Sequence, residues 1–161
     1  MTVPRLNDRL RALLAMLPSG AHPVADVGAG HGALAVHLAH RGAVRVIATE
    51  AGRGPYQELC HNLDWWGARE RVEPRFGAGL DPIAAGEVEG VVAAGMGARN
   101  LLGICAGAAV RRVRWVALQC VQDPELVDPW LRAVGWRVLA STVAVDRGHN
   151  YPTWLCAVSA A

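Results

Sequence analysis

A chain of 161 residues that is 52% hydrophobic carries enough apolar material for one domain with a sizeable core, which argues against disorder. A net charge of only +2, from 16 basic and 14 acidic residues, excludes a global electrostatic pull toward nucleic acid or membrane. Any basic surface must be local, and every one of the basic residues is Arg.

The four cysteines, Cys60, Cys105, Cys120 and Cys156, are far apart and form no C-x-x-C, so neither a zinc site nor a disulfide scaffold is indicated. The N-terminal stretch carries charges throughout, unlike a signal peptide, and no apolar run reaches membrane-spanning length. The expectation is a soluble cytoplasmic protein with no bound metal and no membrane partner.

In chain order, Leu6, Leu10, Leu13, Leu14 and Leu17 recur at three- and four-residue intervals and predict an amphipathic helix, with Arg5, Arg9 and Arg11 largely off its apolar stripe. "PVADVG", Pro23 to Gly28, reads as a short buried strand, and "HGALAVHLAHRG" as a helix closed by Gly42. "VRVIATE", Val44 to Glu50, is a second strand ending in an acid. A helix over Pro55 to Gly67 follows, with Pro in its first position. "RVEPRFG" is a strand weakened by Pro74, and a brief helix is expected after Leu80. "VEGVVAAG", "ARNLLGICAGAA" and "VRWVALQC" continue as strand, helix, strand. An Asp-capped helix over Asp123 to Gly135 and two closing strands, "WRVLASTVAV" and "NYPTWLCAVS", complete the pattern.

Strands alternating with helices predict an α/β domain of doubly wound, Rossmann-like type, with a seven-stranded, mostly parallel sheet, a C-terminal antiparallel hairpin and an N-terminal helix, all in one domain over 1–161. In such a sheet, ligands bind beyond the carboxyl ends of the strands at the switch point, which falls at "DVGAGHGALA". Gly28, Gly30 and Gly32 let the backbone approach an anion there, and the next helix aims its N-terminus the same way. The G-x-G-x-G spacing leans away from the dinucleotide fingerprint without excluding it, since Ala33 fits where the third small residue belongs. Glu50, at the end of the second strand, suits two ribose hydroxyls, a demand that NAD and S-adenosyl-L-methionine share. Seven strands with a reversed final hairpin look like a class I methyltransferase rather than a dehydrogenase.

Nearly the whole chain resembles the bacterial tRNA (adenine-22-N1)-methyltransferase family. The similarity is carried by "RLRALLAMLPSGAHPVADVGAGH", "GPYQELCHN", "AGMG", "LQ" at the end of the fifth strand and "WLRAVGW". The resemblance implies an S-adenosyl-L-methionine cofactor and a tRNA partner. It assigns Asp26, Gly28, Gly30, His31, Glu50, Ala78, Gly79, Gly95, Met96 and Gly97 to the cofactor site. Tyr56, Gln119 and Tyr151 fall to the substrate, with Arg5 and Arg9 as added candidates from the basic face of the first helix, and His31 is the one candidate for a catalytic role. The chain departs from the family pattern at five positions. Gly30 and Ala78 stand where the family carries Asp, Ala33 stands for Tyr, Val121 for Asn, and Pro152 for Glu. The family's helical C-terminal extension has no counterpart before Ala161. The alternative function is a silent or retargeted relative that keeps the fold to bind RNA or a protein.

Two further features have plainer readings. His37 and His40 share H-x-x-H spacing but lack a further ligand, so helix surface is expected. At least four of the six tryptophans, Trp65, Trp66, Trp115, Trp130, Trp136 and Trp154, are expected in the core.

Overall fold

The computed structural model describes residues 1–20 and 22–159. Asn7 opens the first helix, α1 (Asp8–Met16), by accepting a hydrogen bond from the Leu10 backbone N–H at 3.1 Å. The alternation then runs β1 (Pro23–Val27), α2 (Ala33–His40), β2 (Arg45–Glu50), α3 (Arg53–Trp65), β3 (Val72–Phe76), β4 (Gly90–Gly97), α4 (Ala98–Val110), β5 (Trp115–Gln122), α5 (Val127–Ala133), β6 (Arg137–Asp146) and β7 (His149–Ala157).

The seven strands form one sheet in the order β3-β2-β1-β4-β5-β7-β6. The first five lie parallel, and β7 pairs antiparallel with both β5 and β6. Because β1 lies between β2 and β4, the chain winds outward in both directions from it, and its carboxyl end is the switch point. Helices α1, α2 and α3 cover one face around Leu13, Val36, Leu59 and Leu63, and α4 and α5 cover the other around Leu101, Cys105 and Leu131. The central strands β1, β2 and β5 are buried for most of their length and β4 over its first half, which is why they read as continuous apolar runs.

The three strand prolines sit where a missing N–H is tolerated, Pro23 as the first residue of β1. β3 is an edge strand paired only with β2, so Pro74 leaves no inner ladder bond broken. Pro152 lies one residue beyond the last β5 pair, Gln119 with Thr153. Glycine at 90 is fixed by packing, since a Cβ there would fall 2.0 Å from the buried Trp115 ring.

Three expectations need correction. Helix α3 begins at Arg53 after Gly52, so Pro55 occupies its third position, where first-turn N–H groups have no intrahelical acceptor anyway. The segment after Leu80 forms turns rather than a helix, with Pro82 and Gly86 interrupting it and Asp81 N–H bonded to the Ala78 carbonyl. The region after β5 splits into a 3-10 turn over Pro124–Leu126 and the shorter α5, and Asp123 adopts φ +54 without a side-chain cap bond. Of the tryptophans, Trp115, Trp136 and Trp154 are buried, and Trp66 and Trp130 pack against the core; Trp65 is 80% exposed.

Candidate functional site

The carboxyl ends of β1, β2, β3 and β4 frame a cleft of about 470 Å³. Gly28, Glu50, Ala78, Gly79 and Met96 of the expected cofactor set line it. At Gly28, φ is +67, and a Cβ would fall 2.2 Å from the Met96 methyl, so conformation and space both demand glycine. Gly95 has φ +76 and faces away from the cleft, toward the Arg9 guanidinium. The register of β4 against β5 shifts between Ala94, Met96 and Gly97, an irregularity that re-aims Met96 at the cleft mouth.

Glu50 is half-buried at the rim. One carboxylate oxygen accepts from the Gly30 N–H at 3.0 Å and the other from the Ala51 N–H at 3.2 Å. Each oxygen keeps a free lone pair, so the carboxylate is fixed in place yet still able to accept two more hydrogen bonds.

Asp26, at the end of β1, behaves differently. It is 2% exposed, and one of its oxygens has no hydrogen-bond partner. Burial pushes its carboxyl up to about 7; the Ala35 backbone pulls the other way, and the Glu50 charge adds to the rise. Asp26 therefore supports the turn from beneath rather than facing the cleft.

Of the five positions where the chain departs from its resemblance, Gly30, Ala78 and Val121 are open, whereas Ala33 is buried at the start of α2 and Pro152 is half-buried in β7. A Cβ at Gly30 would meet nothing within 4 Å, so space does not demand glycine there, while φ +55 favours it. Ala78 is exposed in the cleft wall, and Asp81, three residues on, joins the same wall. Val121 is 47% exposed at the end of β5.

Several residues missed in the sequence complete the cleft. Asn100, Gly103, Ile104, Gly107 and Arg111 of α4 and its cap line it, at spacings that put them on one helical face. The pattern was visible in "NLLGICAGAAVR", but nothing in it marked that face as turned toward the sheet edge. Arg75 was equally silent. Its guanidinium pairs with Glu87 at 2.6 Å and Glu73 at 2.8 Å, and donates to the Pro82 carbonyl at 2.7 Å, bracing the loop that carries Ala78 and Gly79. The same pairing holds the Glu87 carboxyl down to about 2.

The expected substrate residues fall into two groups. Gln119, Tyr151 and Arg9 come together. Arg9 donates to the Gln119 side-chain oxygen at 2.8 Å, the Gln119 amide donates to the Arg9 carbonyl at 2.9 Å and to Thr153 Oγ1 at 3.0 Å, and the guanidinium lies 5.2 Å from the centre of the Tyr151 ring. Gln119 is fully buried with both amide hydrogens committed, so it positions Arg9 and does not itself face a ligand.

Tyr56 instead packs edge-on against Phe76 at 5.5 Å, behind the cleft. His31 is exposed in the turn before α2, outside the cleft lining, and its carbonyl accepts from Asn62 at 3.1 Å. Arg5 is exposed beside Arg11 and Arg147 in a shallow polar groove. The "RRVR" stretch forms no single basic face, because Arg111 turns inward to the Ile83 carbonyl and Arg114 pairs with Glu89.

His37 lies 2.7 Å from the Pro4 carbonyl and His40 is exposed. Among the described residues no group of three or more His, Cys, Asp or Glu is placed to hold a metal ion, and no helix is long and apolar enough to cross a membrane.

Comparison with known proteins bears on this geometry. The tRNA (adenine(22)-N(1))-methyltransferase of Bacillus subtilis is 33% identical over 95 residues, which is 58% of this chain and 39% of that relative's length. Sp1610 of Streptococcus pneumoniae, solved in complex with S-adenosyl-L-methionine, is 25% identical with a TM-score of 0.89 over 98% of this chain and 75% of that one. The B. subtilis M1A22 tRNA methyltransferase TrmK superposes with a TM-score of 0.87 at 21% identity, covering 97% of this chain and 68% of that one, a likeness of fold. The sequence pattern of the family described as "Methyltransferase domain" matches residues 6–153, nearly the full sheet with its switch-point cleft, and the chain belongs to that family.

Proposed function

We propose that the protein is an S-adenosyl-L-methionine-dependent methyltransferase acting on N1 of an adenine in tRNA, of the position-22 type. The observation that carries the cofactor is Glu50, a carboxylate fixed at the end of β2 with two lone pairs turned to a cleft floored by Gly28 and walled by Met96. The acceptor class rests on the B. subtilis relative, a tRNA (adenine(22)-N(1))-methyltransferase, and on the motifs shared with that family.

When bound, the cofactor supplies a methyl group on a positively charged sulfur, and transfer moves that carbon to an acceptor lone pair as the carbon–sulfur bond breaks. Adenine N1 has its lone pair free at neutral pH, so the chain need not remove a proton before attack. Its task is alignment, which can provide much of the rate. Glu50 would hold the ribose end, and the Gly77–Gly79 loop and the α4 face would enclose the remainder, with Met96 in the cleft wall. The open ground above Gly30 gives a flipped base room to approach.

Incubation with labelled cofactor and unmodified tRNA, followed by nucleoside analysis, is expected to yield 1-methyladenosine. Absence of label in any RNA, with cofactor binding intact, would leave the fold as a binding module and overturn the enzymatic reading.

A further inference from the structure

Three of the sixteen arginines are half-buried: Arg9, Arg75 and Arg111. Taking a guanidinium partly out of water demands compensation, usually from a carboxylate. Arg75 has two glutamates, and Arg111 has backbone carbonyls with Asp81 at 3.9 Å. Arg9 has only the neutral Gln119 amide oxygen and the face of Tyr151. Among the described residues no carboxylate lies within ion-pair distance of it.

The placement of Arg9 is nonetheless over-determined. Gln119 returns a bond to the Arg9 carbonyl, so side chain and backbone of one residue are clamped by one buried amide. Thr153 anchors that amide in turn and donates to the Tyr151 carbonyl, which fixes the strand segment bearing the aromatic ring. Both terminal nitrogens lie 3.4 Å from where a Gly95 Cβ would sit, so the guanidinium rests against the strand one residue before Met96, next to the cleft. The result is a planar cation with N–H groups left over, held rigid one residue along β4 from Met96 in the cleft wall.

We propose that Arg9 is an anion receptor for the acceptor, and that it takes the phosphate of the nucleotide whose base is methylated. The inference rests on the nucleic-acid reading above. A fork of N–H donors suits phosphate oxygens, and a receptor kept free of internal carboxylates is ready to pair on arrival. A polar groove at the start of α1 holds exposed Arg5 and Arg147 alongside Asp8 and Asp146, and its Arg11 is paired with Asp8, so Arg5 and Arg147 are the cations it can offer to a phosphate backbone.

The test compares 5′-AMP with adenosine by calorimetric titration of wild type and Arg9→Ala, with S-adenosylhomocysteine saturating so that adenine does not occupy the cofactor cleft. Wild type is expected to bind 5′-AMP about tenfold more tightly than adenosine, and the ratio should fall to about one in the variant. In parallel, the salt dependence of binding to an RNA hairpin with an unpaired adenine should become shallower by about 0.7 in log–log slope. If Arg9→Ala melts early, Arg9→Gln and Arg9→Lys carry the comparison, the first losing the preference and the second keeping part of it. No preference in wild type, or a preference that survives Arg9→Gln, would overturn the proposal. An Arg9-dependent preference in a protein that methylates no RNA would sink the tRNA reading and leave the receptor standing; methylation without the preference would do the reverse.

Discussion

The two flanks of the strands' carboxyl edge use the same chemical groups in opposite ways. On the β1–β4 flank, Arg75 is saturated by Glu73, Glu87 and the Pro82 carbonyl, and it braces a loop. On the α1 flank, Arg9 is fixed equally well by Gln119 and Tyr151 but keeps its charge unpaired. Acids divide likewise, since Asp26 is sealed beneath the turn and Glu50 is presented to the cleft. Polar groups whose bonding capacity is consumed internally build the scaffold. Those held firmly with capacity to spare are the ones available to ligands.

The largest expected effect breaks the sealed half of this contrast. Asp26 titrates near 7 in the folded chain against an ordinary 3.8, so the native state holds the proton more tightly than the unfolded state. Its contribution is complete below about 4 and is lost as pH rises through 7, a change on the order of 4 kcal/mol. Thermal melts across pH 4 to 8 should show wild type losing stability over that window and Asp26→Asn much flatter. Equal slopes would mean that Asp26 is already solvated. Next in size is Glu50→Ala, expected to weaken S-adenosyl-L-methionine binding about 10- to 100-fold, as befits hydrogen bonds to a charged acceptor. Arg9→Ala should change that affinity less than twofold, and a loss matching that of Glu50→Ala would place Arg9 on the wrong flank.

Arg75→Ala sharpens the scaffold side. Removing the guanidinium leaves Glu73 and Glu87 with Arg45 as their remaining cation and frees the Pro82 carbonyl, at a cost of about 2 kcal/mol in chemical denaturation. The sign of the acid limb follows from Glu87, whose folded pKa of about 2 lies below its ordinary 4.5. Its stabilisation is present above 4.5 and fades as pH falls toward 2. That fading should be strong in wild type and weaker in Arg75→Ala, where Arg45 still faces Glu87; an unchanged acid limb would show that other carboxylates carry it.

How much of this was legible in the sequence follows from the range of each signal. The strand and helix alternation, the switch-point glycines and Glu50 are encoded within short windows, where periodicity and punctuation act directly on the backbone, and the seven-stranded sheet follows from them. The helix starts at Arg53 and Val127 were misplaced because proline marks a first turn without fixing which of its positions it fills. The Arg9–Gln119 clamp spans 110 residues and the Arg75–Glu87 brace joins an edge strand to a turn. Such pairs leave no periodic trace, since their partners are set by tertiary packing alone. Tyr56 and His31 show the converse: a local motif gave their neighbourhood but not the direction of their side chains.

The smallest effect tests the clamp without touching the charge. Thr153→Val keeps the shape of a buried side chain while removing the hydroxyl that accepts from Gln119 and donates to the Tyr151 carbonyl, costing about 1 kcal/mol. One Gln119 N–H then lacks its acceptor, but the bonds between Gln119 and Arg9 remain, so the guanidinium should stay in place. Stability should therefore fall slightly while cofactor affinity and RNA affinity hold. If RNA binding drops as far as in Arg9→Ala, the receptor depends on the whole chain of bonds through β7, and rigidity rather than charge is the quantity the α1 flank was built to supply.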